Sequence, residues 1–294
     1  MNSDLHYDYA TVGHVTVDVL EDGTRRPGGS AFYAALQAAR LGLRAAIFTR
    51  GRPAEVQALL APHRAELDLH VQAAPRTTTL RTRWQGGERH QQVLAWAGPI
   101  APPARIDTGI LHLAPVARET PASRPDGAGF LGFTPQGLAR AWGADGHVRH
   151  EAGPPVLAAL ALAGASDALV ISEQERAGCA ALLQAAARGG ALVAITAGGR
   201  PTTLLVAGAG PLSLPVAARE PPRDELGAGD VFAAAFFVAL REGAPAAAAA
   251  RFGQAAAAVR MRGLGAGAIG ARAALERELS RPAPAPAPAR APLG

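Results

Sequence analysis

Apolar positions along this chain fall into two kinds of stretch that alternate from one end to the other. Short β-prone runs at 9–19 (YATVGHVTVDV), 45–50 (AAIFTR), 109–116 (GILHLAPV), 129–134 (GFLGFT), 168–172 (ALVIS), 191–196 (ALVAIT) and 202–208 (TTLLVAG) read as strands. Longer Ala- and Leu-rich stretches predict helices over 30–41 and 229–242, stopped by Gly42 and Gly243, and over 174–188 and 245–260. Strand and helix in turn is the pattern of βα units, so an α/β sandwich on a mostly parallel central sheet is expected.

Two stretches depart from that rhythm. Residues 15–27 (VTVDVLEDGTRRP) and 77–97 (TTTLRTRWQGGERHQQVLAWA) alternate polar and apolar positions around Asp22-Gly23 and Gly86-Gly87, which reads as two hairpins. Hairpins of that kind expose one face; they predict either a small β lid over one edge of the main sheet or surface decoration. The Pro-Ala repetition of 281–294 cannot build a core and predicts a disordered tail after a single domain of residues 1–280.

Composition narrows the chemistry. With 294 residues and 49% hydrophobic content the chain can fill a sizeable core. The single cysteine, Cys179, permits neither a disulfide framework nor a multi-cysteine zinc site. The N-terminal residues show no basic segment followed by an apolar one, and no run approaches the roughly 18 apolar residues of a membrane span. An unexported, cytoplasmic protein is expected. The net charge of +5 comes from arginine alone, since the sequence has no lysine. That excludes a Walker A loop, Schiff-base catalysis and kinases that place a lysine on the nucleotide phosphates. The arginines are scattered and aromatic residues make up only 5%, which speaks against nucleic-acid binding.

The most informative stretch is DELGAGDVF, residues 224–232. Gly227, Ala228 and Gly229 lie at the start of an apolar helix, where free backbone N–H groups and the helix dipole favour an anion. Asp230 is either a simple N-cap or a base: a carboxylate repels a phosphate beside it unless it accepts a proton from an incoming hydroxyl. Upstream, Gly28-Gly29 precede a helix with small residues along one side, and Asp18 either meets hydroxyls of a polyol or begins a hairpin turn.

Together, in this order and at this separation, these motifs resemble the PfkB or ribokinase-like carbohydrate kinases. Gly28-Gly29 through Ala39-Arg40-Leu41-Gly42 match the family's first pattern; Asp224, Gly227, Ala228, Gly229, Asp230 and Phe232 match its second. The resemblance implies a ribokinase-like three-layer α/β/α fold and ATP-dependent phosphorylation, with Mg2+, of a hydroxyl on a small sugar, polyol or nucleoside. It implies that Asp230 is the general base and that the backbone of Gly227, Ala228 and Gly229 is the anion hole. Asp18, Gly28, Gly29, Tyr33 and Gln136 then fall on the substrate side, with Tyr33 where many members have asparagine. Ser172, Glu175, Thr196, Gly198 and Gln254 fall on the nucleotide side, with Glu175 organising magnesium through water. Ser172 and Gln254 replace usual asparagines, and Pro201 stands where the nucleotide loop has its last glycine. Asp224 matches the edge of a monovalent-cation site, which Glu225-Leu226 alter. The segments around His112, Glu119 and Gln136 resemble an inositol kinase-like subgroup and make these three residues candidates to face the substrate. Arg81, Arg83 and Arg89, on the second hairpin, are candidates to clamp an anionic substrate. A homodimer through the lid is compatible with the pattern. A second expectation, motivated by Ser172, Pro201 and Leu226, is a degenerate fold that binds nucleotide or metabolite without turnover.

Overall fold

The structure, a computed structural model, describes residues 6–85, 88–217 and 221–281. The 282–294 part of the expected tail and the Gly86-Gly87 turn lie outside the described residues. The chain begins with β1 (Tyr7–Val12), and β2 (Thr16–Val19) and β3 (Arg25–Gly28) form the first hairpin. Helix α1 (Ser30–Arg40), β4 (Ala45–Gly51), α2 (Pro53–Leu60) and β5 (Leu67–Ala73) complete one side of the sheet. The second hairpin is β6 (Thr79–Gln85) and β7 (Glu88–Ala95), followed by β8 (Arg105–Leu113), β9 (Asp126–Ala128), β10 (Leu131–Phe133) and the short pair β11 (Arg140–Ala141) and β12 (Arg149–His150). Then come α3 (Pro154–Ala158), α4 (Leu160–Gly164), β13 (Ala168–Ser172), α5 (Ala180–Arg188), β14 (Leu192–Ala197), β15 (Arg200–Leu205) and β16 (Leu212–Leu214). Helices α6 (Ala228–Arg241), α7 (Ala246–Met261) and α8 (Arg272–Leu279) close the described chain.

The main sheet runs β16-β15-β14-β13-β10-β8-β1-β4-β5, with β9 paired to β8. It is parallel except where β15 and β16 turn back antiparallel at one edge. Period-two alternation makes the layers. On β13, Ala168 and Val170 join one core with α1, α6 and α7, while Leu169 and Ile171 join the other with α4 and α5. Strand β4 divides the same way, Ile47 to the first core and Phe48 to the second. This is the expected three-layer α/β/α sandwich.

Two boundaries differ from the periodicity. The run 9–19 is two strands: the chain leaves the main sheet after Val12, at Gly13, where only a glycine fits because an added Cβ would come within 2.3 Å of the Ala114 carbonyl oxygen. The helix over 174–188 begins only at Ala180. Ser172 and Glu175 form a reciprocal capping box that closes a single 3-10 turn, Glu173–Glu175, before it. The two hairpins join into one four-stranded sheet, β3-β2-β6-β7, through a parallel pairing of β2 with β6. Its far edge is occupied, since Val93 N–H donates to the Gly146 carbonyl and Val148 N–H to that of Gln91.

His112 is a core residue. Its Nδ1 bonds the Tyr9 hydroxyl at 2.8 Å, its Nε2 bonds the Thr134 hydroxyl at 2.9 Å, and Phe237 packs edge-on against the ring. Burial pushes its pKa down from 6.5 to about 3. The folded state therefore holds His112 neutral while the unfolded chain takes up a proton below its ordinary value. Stability from this group is fully present above pH 6.5 and is lost as pH falls toward 3. Unfolding free energy measured in urea between pH 7 and pH 4 is expected to fall with pH, by about 1.4 kcal/mol per unit for this proton. Buried His14, also lowered, adds to that slope. His112→Asn is expected to make the slope shallower by up to one proton; an unchanged slope would contradict the assignment.

Candidate active site

Strand order places the site before any side chain is considered. The chain builds outward from β1 through β4 to β5, then returns to the other side of β1 through β8, β10, β13 and β14. Open parallel sheets bind ligands beyond the carboxyl ends of their strands, where the order reverses. Here that point lies between β1 and β8. The detour between β1 and α1 supplies β2 and β3 of the small four-stranded sheet, and the stretch after β5 supplies β6 and β7. A cleft of about 480 Å³ runs between this small sheet and the loop leading into α6, with Leu20, Arg26 and Thr82 on one side and Asp224, Leu226 and Leu264 on the other.

Helix α6 is buried along Val231–Ala239, so its first turn is fixed by the core. Gly227 caps it in the left-handed region (φ 78°, ψ 2°), and a Cβ there would lie 2.3 Å from Cδ1 of Tyr33. Gly229 is exposed, and a Cβ on it would meet nothing within 4 Å. The Ala228 N–H is already used, donating to the Glu225 carbonyl at 3.1 Å to close the preceding turn. In this structure the Ala228 amide holds the loop's own turn.

Asp230 follows in the first turn of α6 and is half-buried. Gln136, in the turn after β10, donates from Nε2 to the Ser30 hydroxyl at 2.6 Å and to Asp230 Oδ1 at 3.4 Å. The first turns of α1 and α6 therefore converge on one amide. The negative charge of Asp230 also reaches Tyr9 below, whose phenol is raised well above 10, first by burial and then by this carboxylate. Sequence reading paired Gln136 with the substrate side but missed Ser30, whose hydroxyl carries no motif signal.

Asp18, on β2, is buried and accepts from the Thr16 hydroxyl at 2.7 Å. The glycine pair follows from this crowding. A Cβ on Gly28 would sit 2.2 Å from the Asp18 carboxylate, and one on Gly29 would sit 2.1 Å from the His14 carbonyl. Tyr33 is 3% exposed, and burial, then the nearby Asp18 charge, push its phenol up to about 12. Its ring backs the glycine loop from beneath.

Of the residues expected on the nucleotide side, Ser172 and Thr196 pair in register near the ends of β13 and β14, and Gly198 turns the chain just beyond (φ 62°). Glu175 Oε2 accepts the Ser172 N–H at 2.9 Å. Its charge, after burial, helps push the Cys179 thiol up to about 12, so that cysteine is inert packing. The Gln254 amide donates to the Thr202 hydroxyl at 3.1 Å and to the Leu214 carbonyl at 3.4 Å, tying α7 to the antiparallel edge. Among the described residues, no group of three His, Cys, Asp or Glu could hold a metal ion directly. A single carboxylate suits magnesium, which keeps most of its waters and takes its other ligands from substrate phosphates.

Three sequence-predicted residues take other parts. Asp224 is not open to a monovalent cation: its Oδ2 is held by Arg260 at 3.0 Å, Arg26 at 3.2 Å and the Gly265 N–H at 2.8 Å, and Oδ1 accepts the Leu226 N–H at 3.0 Å. These bonds keep its carboxyl below the usual range despite burial. His112 is the core histidine described above. Glu119 is fully buried and accepts the N–H groups of His14, Val116 and Ala117, which makes it a loop-shaping carboxylate. Of the hairpin arginines, Arg81 is half-buried and Arg83 exposed; the Arg89 side chain lies outside the described residues. No helix among the described residues is long and apolar enough to cross a membrane.

Residues 157–272 match the model of the pfkB family carbohydrate kinases. No curated protein matches the chain. Among solved structures, it is similar to a pyrophosphate-dependent kinase of the ribokinase family complexed with a pyrophosphate analog and myo-inositol, at 20% identity and TM-score 0.71, covering 87% of this chain and 96% of the other. It is similar to Arabidopsis thaliana ribokinase complexed with ribose and ATP, at 20% identity and TM-score 0.69, covering 95% and 100%. It is also similar to Vibrio cholerae O395 fructokinase with fructose, ADP and calcium bound, at 20% identity and TM-score 0.69, covering 92% and 99%. At these identities the likeness shows the fold.

Proposed function

We propose, from the premise that the chain belongs to the pfkB family carbohydrate kinases through residues 157–272, that it transfers the γ-phosphoryl group of ATP to a hydroxyl of a small sugar, inositol-like polyol or nucleoside. The observation that carries this reading is the meeting of Asp230, Gln136 and Ser30 at the mouth of α6, beside an exposed glycine. Asp230 takes the proton from the acceptor hydroxyl as the oxygen attacks phosphorus. Gln136 holds the carboxylate in place at the mouth of α6. The N–H groups of Gly227 and Gly229 and the α6 dipole stabilise negative charge on the transferred group. Asp18 holds acceptor hydroxyls, with Gly28 and Gly29 giving it room. Bound magnesium supplies charge neutralisation for the donor phosphates, and Glu175 fits its outer shell through water. Ser172, Thr196 and Gly198 line the donor side.

The reading is tested by offering ATP or pyrophosphate with magnesium to myo-inositol, ribose, fructose and nucleosides, and following phosphate-ester formation by phosphorus NMR. Both donors belong in the panel because solved kinases of both kinds share the fold. Ester formed with ATP supports the reading; ester formed with pyrophosphate alone would overturn ATP as the donor, and none from every pair would sink the kinase reading itself. Gln136→Leu removes the donor to Asp230 while keeping the side chain's bulk. It is expected to lower kcat/KM by roughly tenfold, about 1.4 kcal/mol of transition-state positioning, with donor affinity unchanged.

A further inference from the structure

Arg260 lies in the last turn of α7, has no exposed surface and is among the largest fully buried side chains. Nothing in the sequence marked it, since an arginine in the last turn of a helix ordinarily answers the dipole from the surface. Here the guanidinium is folded inward. One terminal nitrogen donates to Asp224 Oδ2 at 3.0 Å; the other reaches the backbone carbonyls of Gly263 at 3.2 Å and Asp224 at 3.4 Å. Its carbon lies 5.4 Å from the centre of the Tyr33 ring.

A carboxylate and two peptide carbonyls converging from two loops are a hard-cation donor set. The resemblance places a monovalent cation in this neighbourhood, and the residues present do not fit one, because a fixed positive charge already uses those oxygens. Resting on the kinase reading above, we propose that Arg260 is a tethered cation: it holds the loop 224–227 in its working shape, so the enzyme runs without potassium or sodium. The loop is gripped twice. Directly, Arg260 holds Asp224, three residues before the helix cap. Indirectly, the Tyr33 ring meets both Arg260 and Gly227, with the guanidinium carbon 5.4 Å from its centre and its atoms against the site where a Cβ on Gly227 would be. Arginine suits the task because it stays charged at any working pH and its planar fork fixes geometry that a mobile ion would leave to exchange. Arg260 is therefore a positioning residue; it acts through Asp224 and Tyr33.

Two measurements test this. First, melting temperature and turnover of the full chain are compared in potassium chloride, sodium chloride and tetramethylammonium chloride at equal ionic strength. Equal values are expected; a melting temperature or turnover rate raised specifically by potassium or sodium would overturn the proposal. Second, Arg260→Met is expected to lower kcat by roughly 10²-fold, the scale of a misplaced catalytic loop, with a much smaller rise in KM. Added guanidinium or potassium ions, but not tetramethylammonium, are expected to restore part of it, and Arg260→Lys to retain most of it. Wild-type kcat in Arg260→Met would also overturn the proposal. Should Arg260→Met fail to fold, the cation comparison on the unaltered chain decides alone. Should no acceptor be phosphorylated, melting temperature still reads the cation response, so failure of the kinase reading and failure of this proposal are distinguishable.

Discussion

Asp230→Asn is expected to lower turnover by roughly 10²- to 10⁴-fold, the range spanned by removal of a positioned general base, while donor binding is preserved. The substitution keeps size and nearly keeps shape, so Gln136, Ser30 and the first turn of α6 retain their places. What changes is the ability to accept a proton. The loss should appear in kcat, because the acceptor hydroxyl binds as before but is no longer deprotonated as it attacks. Removing a negative charge from the mouth of α6 also lessens repulsion toward phosphate. Donor affinity measured by calorimetry should therefore stay level or rise slightly. A variant that turns over at the wild-type rate would return Asp230 to the role of an ordinary first-turn acid. Loss of donor binding with kcat intact would make it a ligand-holding group instead.

Much of this arrangement was legible in the sequence, and the reason is local. Strands of the main sheet are short apolar runs whose period of two sends alternate residues to two cores, as Leu169 and Val170 show. The mouth of α6 is written in consecutive residues: Gly227, Ala228, Gly229 and Asp230 need no tertiary information to be recognised as a helix start. The glycine pair was legible as a site of close approach, but its cause was not. Only the fold shows that the Asp18 carboxylate and the His14 carbonyl crowd Gly28 and Gly29.

What escaped depends on residues far apart in the chain. Ser30 meets Gln136 across 106 positions, and Asp224 meets Arg26 across 198. Asp224 reads as cation ligand or loop former until its partners are known, because a carboxylate beside carbonyls looks alike whether sodium or a guanidinium completes the set. Glu119 misleads in the same way. Its pattern resembles a substrate contact, yet three backbone N–H groups claim it. Arg260 reads as a surface arginine because helix-end basicity is so often dipole complementation; burial is a property of the assembled core.

Gly227→Ala is expected to damage both stability and turnover, and the two losses have separable causes. The left-handed conformation at φ 78° costs an L-residue about 1–2 kcal/mol. The added methyl also lies 2.3 Å from Cδ1 and 2.4 Å from Cγ of Tyr33, so the ring or the cap must move. Neither moves cheaply. Tyr33 packs on Phe32 with ring centres 5.3 Å apart and has the Arg260 guanidinium carbon 5.4 Å from its own ring centre. If the cap yields, the first N–H groups of α6 turn away from the incoming phosphoryl group. Turnover should then fall by roughly 10²- to 10³-fold, the usual consequence of a lost oxyanion donor. A double-mutant cycle with Tyr33→Ala separates the causes. Removing the ring relieves the clash and leaves only the backbone strain, so the pair should lose less stability than the two single substitutions summed. A coupling of about 1–3 kcal/mol is expected, as for residues in direct contact. Additive losses would mean that the ring does not press on the cap, and that the cradle's shape rests on its own turn and on the Asp224–Arg260 pair.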